Sequence, residues 1–270
     1  MRILIATAGS RGDVVPYTGL GVRLRGAGHR VAIATQDRLA DLVTGSGLEF
    51  RSLPGDVRAF QESPAGRRLH RAGSGPRGVL DFVRLGTRFV RLLGPGLVSA
   101  ARDADVLLLS TVTAPLGYSV AEAYGIASLG VFLQPVEPTA EFPPVVLGAA
   151  RLTRWGNRAA GAAGERISHR AYAAASRRLR ADLGLPPVPV GRLQRAAAAA
   201  GWPVQHGFSP TVVPGRPTGG RGWTWPATGG RRRCPAGNRR PTWPTSWPPG
   251  RRRCTSASAA CWARPAYWTS

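Results

Sequence analysis

The sequence predicts a doubly wound α/β domain built on a parallel sheet. Three observations predict it. Short apolar runs rich in β-branched residues alternate with helical stretches. Strand, helix and strand all fit between Arg2 and Ala34, which is a βαβ unit with its right-handed crossover. The first strand also ends in a turn containing two glycines. In order, Arg2 to Thr7 (RILIAT) is the first strand and Ala8 to Asp13 (AGSRGD) the turn. Val14 to Gly26 follows as a helix, with Val15, Leu20, Val22 and Leu24 as its apolar positions, and Arg30 to Ala34 (RVAIA) as the second strand. Leu48 to Leu53 continues as strand, Gly78 to Ala101 as a long helix, and Asp105 to Leu109 (DVLLL) as strand. Ala114 to Tyr124 is helix and Ser128 to Leu133 strand. Gln134 to Pro144 is a Pro-rich loop at a strand's carboxyl end, where such sheets place ligands. Arg151 to Leu183, rich in Ala and Arg, reads as helices.

The 270 residues are 43% hydrophobic, enough for one large or two modest domains with a sizeable core. No run of 18 apolar residues occurs, and Met1 to Ala8 is too short for a signal peptide, so a cytoplasmic protein is expected. The formal net charge is +23, and all 37 basic residues are arginine. A lysine-free chain heavy in Arg, Gly, Ala and Pro points first to GC-rich coding DNA. Only after that does it point to a nucleic-acid ligand.

The composition changes abruptly at Pro214. Beyond it there is no Asp, Glu, Ile, Leu, Val, Met or Phe, while six of the eight Trp and all three Cys lie there. Except for Asn238 and Tyr267, every residue of 215–270 has codons with G or C in the middle position. GC-rich genes concentrate that bias in the third position, so the tail is expected to be read one base out of frame. Reversing the slip brings acids and aliphatics back: Trp223 before Thr224 forces an Asp codon. The stretch Cys254 to Cys261 permits Val-Tyr-Val-Gly-Phe-Gly-Ser-Met, a strand ending in a small-residue turn. The expected organisation is a domain over 1–214 and an aberrant, disordered tail over 215–270.

Several residues invite a chemical reading, each beside a plainer one. Asp13 either caps the following helix or presents a carboxylate to a ligand held over Gly9 and Gly12. Phe132, Gln134, Phe142 and Pro143 either line a pocket or pack their own loop. Arg166, Arg170 and Arg177 approach one helical face, which is either solvated or offered to anionic lipid. His29, between Gly28 and strand residue Arg30, reads as structural or surface; His70, His169 and His206 share no metal-ligand spacing, and Cys234, Cys254 and Cys261 form no CxxC pair.

Gly9 to Pro16 (GSRGDVVP), Ala114 to Pro144 and Gly207 to Pro214 (GFSPTVVP) together resemble the N-terminal half of GT-B glycosyltransferases. The nearest group is that of sterol glucosyltransferases and antibiotic glycosyltransferases. The resemblance implies a Rossmann-like acceptor domain over Met1 to about Pro214, in an enzyme that inverts configuration at the sugar. By that resemblance Asp13 is the general base and Ser10 assists it; Gly12, Phe132, Gln134, Phe142 and Pro143 are the candidates for an acceptor pocket. The implied acceptor is a small hydrophobic alcohol and the donor a UDP- or TDP-hexose. The family's donor domain carries a Gly-rich diphosphate loop and an HxGG-type signature, and neither motif occurs in this sequence. The chain by itself is therefore expected to be inactive. One alternative is a non-catalytic acceptor-binding subunit working with a donor domain on another chain. Another is a basic nucleic-acid binder using the arginine triplets and tryptophans of the tail.

Overall fold

A computed structural model describes residues 1–55, 76–144, 152–208 and 223–224, with side chains described except at 76–83, 85 and 223–224. Its strands are β1 (Arg2–Ala6), β2 (Arg30–Thr35), β3 (Glu49–Ser52), β4 (Val106–Leu109), β5 (Ala127–Phe132), β6 (Val204–His206) and β7 (Trp223–Thr224). They form one parallel sheet in the order β3-β2-β1-β4-β5-β6-β7. From β1 the chain first winds outward to β2 and β3, then returns to lay β4 on the other side of β1. Strand order thus reverses between β1 and β4, and a crevice opens there at the carboxyl ends. Both faces of the central strands are covered, which is why RILIA and VLLL read as continuous apolar runs instead of alternating ones.

Helices α1 (Val15–Gly26) and α2 (Ala40–Thr44) cover one face, over Ile3, Ile5, Val31, Ile33 and Val131. The other face, with Leu4, Ala6, Leu107, Leu109 and Val204, is covered by α3 (Pro76–Ala101), α4 (Ala114–Tyr124), α5 (Arg154–Asp182) and α6 (Val190–Ala199). Of the expected apolar positions of α1, Leu20 and Leu24 pack against the core but Val15 and Val22 are exposed, and the helix also turns Tyr17, Thr18 and Gly21 inward. Gly21 decides this. A Cβ there would sit 2.6 Å from Leu48 Cδ1, so the helix seats on the sheet through its glycine. Gly117 of α4 does the same over β4, where a Cβ would lie 2.5 Å from both Leu109 methyls. Gly117→Ala is expected to destabilise the domain by about 1–3 kcal/mol, as overpacked cores do. Urea unfolding measures it, and an unchanged midpoint would show that the two layers give way freely.

Arg180 of α5 is buried among these helices. Its guanidinium donates to both Glu122 carboxylate oxygens at 2.5 and 3.3 Å, to the Ser119 hydroxyl at 3.3 Å, and through Nε to the Pro186 carbonyl at 2.7 Å. One side chain therefore ties α5 to α4 and to the segment leading into α6.

The expected elements appear within a few residues of their bounds. Arg151 to Leu183 is one helix, beginning at Arg154 after Thr153, whose hydroxyl accepts the Gly156 N–H at 3.1 Å. Four elements were not expected: α2, α6, β6 and β7. Past Pro214 only Trp223–Thr224 is described, paired in parallel with β6 (Val204↔Trp223). The open edge of β6 offers the backbone groups for that pairing. His70, the remainder of the tail and residues 209–214 lie outside the described residues. Among those described, no helix is long and apolar enough to cross a membrane.

Candidate active site

The site starts where β1 ends. Gly9 sits at φ +153°, and the chain then makes a single 3-10 turn over Arg11–Asp13. The Asp13 carboxylate reaches back into that turn. Its Oδ2 accepts the Ser10 N–H at 2.7 Å and the Ser10 hydroxyl at 2.9 Å, and the Asp13 N–H donates to the Ser10 carbonyl at 3.0 Å. Thr7 secures the other end, its hydroxyl donating to the Asp13 carbonyl at 2.9 Å. Both side-chain bonds fall on Oδ2 and leave Oδ1 for an incoming donor. Asp13 is half-buried and faces a cleft, so it closes the turn and presents a carboxylate at once. The expected helix cap is not made: Val14 precedes α1 with no side-chain cap bond, and the Asp13 carboxylate closes the 3-10 turn instead.

Across the switch point, the residues after β4 form the opposite wall. The Ala6 carbonyl accepts the Ser110 N–H at 3.0 Å and the Thr113 hydroxyl at 2.7 Å, which stitches the ends of β1 and β4 together. The cleft between these segments is lined by Thr7, Ala8, Asp13, Tyr17, Ser110, Thr111, Val112, Leu133 and Gln134. The Tyr17 hydroxyl donates to the Val131 carbonyl at 2.5 Å. Burial, and secondarily the Asp13 carboxylate, pushes its ionisation far above the ordinary range, so Tyr17 stays a neutral donor. One carboxylate, a few hydroxyls and the apolar Val112 and Leu133 meet in this cleft.

Of the residues singled out from sequence, Ser10 holds Asp13, Gly12 is exposed beside the Ser10 hydroxyl, and Gln134 lines the cleft. Phe132 does not. It is buried in the core, with Trp202 at 6.3 Å and His206 at 6.3 Å between ring centres, because its register on β5 turns it to the α4–α6 face. Phe142 and Pro143 are half-buried in a segment clamped onto α5 and are not among the residues lining the Asp13 cleft. The clamp comprises the Arg154–Glu141 ion pair at 2.8 Å and a 3.1 Å hydrogen bond from the Asn157 amide to the Ala140 carbonyl. Tyr17, Thr111, Val112 and Leu133 were missed. Thr111 and Val112 had one legible signal, their position just after an apolar strand.

His206, at the end of β6, is buried against Phe132 and Phe208, and burial pulls its ionisation below the ordinary histidine range. A folded-state value below the unfolded one means that the unfolded chain binds the proton more readily. Stability from this residue is thus present above the unfolded histidine value near 6.5 and is lost as pH falls from there toward the folded value. His206→Phe is expected to flatten the acid side of a stability-against-pH curve in that window. An unaltered curve would assign the loss elsewhere. Arg166, Arg170 and Arg177 are exposed along α5, and among the described residues no group of three or more His, Cys, Asp or Glu is placed to hold a metal.

The strand order 3-2-1-4-5-6, the covered faces and a cleft at the switch point define a Rossmann-like domain, with the cleft at the carboxyl edge of the sheet where such folds place ligands. Residues 3–143 match the glycosyltransferase family 28 N-terminal domain, and the chain belongs to that family. It is 32% identical over 225 residues to the O-mycaminosyltylonolide 6-deoxyallosyltransferase of Streptomyces fradiae, covering 79% of this chain and 51% of that protein. It is 31% identical to the sterol 3-beta-glucosyltransferase of Neurospora crassa, covering 79% of this chain and 13% of the relative. Among solved structures, the glycosyltransferase of kitacinnamycin superposes with a TM-score of 0.47 at 19% identity, over 76% of this chain and 45% of the other. The Streptomyces glycosyltransferase SsfS6, solved with thymidine diphosphate, gives a TM-score of 0.42 at 23% identity over 70% and 47%. The chain spans about half the length of the first curated relatives it matches.

Proposed function

We propose that the chain is the acceptor-binding half of an inverting, nucleotide-sugar-dependent hexosyltransferase in which Asp13 is the general base. The observation that carries this is the half-buried Asp13 carboxylate at the switch-point cleft, with one oxygen tied to Ser10 and the other available. Asp13 takes the proton of the acceptor hydroxyl as that oxygen bonds to the anomeric carbon. The bond from that carbon to the nucleoside diphosphate breaks on the opposite side, the leaving group takes the electron pair, and configuration inverts. Ser10 keeps the carboxylate oriented, while Val112 and Leu133 receive the apolar body of a sterol, lipid or antibiotic-like alcohol.

The donor, a UDP- or TDP-hexose, needs residues that residues 1–214 do not supply. In this reading 1–214 is the acceptor domain and 215–270 is read out of frame, so the donor half comes from the restored frame or from a second chain. The protein works in the cytoplasm, and its contact with anionic membrane, where it occurs, runs through Arg166, Arg170 and Arg177. The arginine excess is compositional and is assigned no nucleic-acid partner.

The test is titration of the purified chain with a sterol, a macrolide aglycone and an aromatic polyketide alcohol, followed by calorimetry. Saturable binding of at least one, retained in Asp13→Asn, is expected. Failure of all three to bind overturns the acceptor reading. Resequencing the gene across the Pro214 codon tests the reading frame separately.

A further inference from the structure

The loop that carries Asp13 is gripped from outside. At φ +153°, Gly9 occupies backbone space that side chains rarely adopt, and a Cβ there would lie 2.7 Å from the Asp13 carboxyl carbon. Glycine reaches this conformation without side-chain strain, so it is the surrounding contacts that select it here. Two side chains at the carboxyl end of β2 supply the constraint, one for each polar group of Gly9. The Gly9 N–H donates to Gln36 Oε1 at 3.2 Å, and the Gly9 carbonyl accepts from Arg38 Nη2 at 3.0 Å. The next N–H along the chain, that of Ser10, is the one that holds Asp13 Oδ2.

Gln36 is only 1% exposed, and the Thr35 hydroxyl donates to the same Oε1 at 3.3 Å, which fixes which end of the amide faces Gly9. Its Nε2 has no hydrogen-bond partner among the described residues. A buried, unsatisfied amide nitrogen is a cost that an aliphatic side chain of similar volume would not carry. The fold bears that cost at the one place where the other end of the amide grips Gly9.

We infer that Gln36 and Arg38 are positioning residues for the Asp13 carboxylate, holding the peptide groups on both sides of Gly9 so that the Ser10 N–H meets Oδ2. The inference rests on the reading of Asp13 as the base, because a base has to be held to within a fraction of an ångström of its productive geometry. Neither residue touches the acceptor in this scheme. Both act through Gly9.

The experiment is amide hydrogen exchange by NMR on the full chain and on Gln36→Leu, Gln36→Glu and Arg38→Ala. Exchange at Gly9 and Ser10 is expected to rise about tenfold or more in Gln36→Leu and in Arg38→Ala, while amides in α5 keep their protection. Gln36→Glu, which retains an oxygen facing the Gly9 N–H, is expected to restore slow exchange, a rescue that loss of packing alone would not show. Arg38 is exposed, so Arg38→Ala keeps the test decisive if Gln36→Leu fails to fold. Unchanged Gly9 and Ser10 exchange in Arg38→Ala and in any folded Gln36→Leu overturns the proposal. Loosened exchange in chains where Asp13→Asn leaves transfer intact would keep the grip on Gly9 and sink the base.

Discussion

Asp13→Asn, in the chain completed with a donor-binding half, is expected to lower kcat for glycosyl transfer by about 10²–10⁴-fold, the usual contribution of a positioned general base. The substitution keeps the shape of the turn, since the Asn carbonyl oxygen accepts the Ser10 N–H and hydroxyl as Oδ2 does. It removes the ability to take a proton. The loss should therefore fall on kcat, with acceptor affinity within a few-fold of the parent and the melting temperature little changed. Gly9→Ala is the control for position: it leaves the carboxylate chemically intact but drives a methyl into it. A kcat within a few-fold of the parent in Asp13→Asn would return this residue to the role of a turn cap.

Arg180→Ala is expected to lower the stability of the domain by about 3–5 kcal/mol, because it leaves the Glu122 carboxylate buried without its partner. For a domain of this size the shift in melting temperature is on the order of 10 °C. Arg180 is 1% exposed and Glu122 only 12% by side chain, so salt screens the pair little. The Ser119 hydroxyl and the Pro186 carbonyl lose a donor as well. Replacing both charged partners, Arg180→Met with Glu122→Met, is expected to recover much of the loss, since a buried pair seldom outperforms apolar residues of similar volume. Urea unfolding of the two single variants and the double variant measures the coupling. Additive losses would show that the pair does not act as a unit.

The two predictions probe different layers of one design. Asp13 depends on a turn held by Ser10, Gln36 and Arg38, whereas Arg180 secures the helix layer behind the β4 and β5 strands. The cleft opens where these layers meet the carboxyl ends of β1 and β4. A loose helix layer would change how Ser110 to Thr113 meet β1, so stability and acceptor binding should be measured on the same variants.

Much of the sheet is legible because parallel central strands are buried on both faces. RILIA, RVAIA and VLLL are continuous apolar runs at the spacing βαβ units require, and GSRGD marks the turn after the first of them. The short elements were not legible. β6 is three residues long and α2 five, too short for a period to show, and α6 hides in a run of alanines after Pro189. Arg180 was hidden for a different reason. In a chain with 37 arginines, nothing local separates the one that is buried from those that are solvated.

The sequence by itself determined the strand and helix alternation, the parallel sheet, the family and the place of Asp13 in the first turn, because each rests on residues close together in the chain. Only the tertiary structure decided that Asp13 shares a cleft with Thr111, Val112 and Leu133, that Phe132 belongs to the core, and that Gln36 and Arg38 hold Gly9. These pairings join residues 27 to 120 positions apart, brought together by the reversal of strand order between β1 and β4 and by the register of β2 on β1. Local propensity sets which segments become strands. Which strand ends become neighbours, and so which side chains share a site, is fixed by how the layers pack.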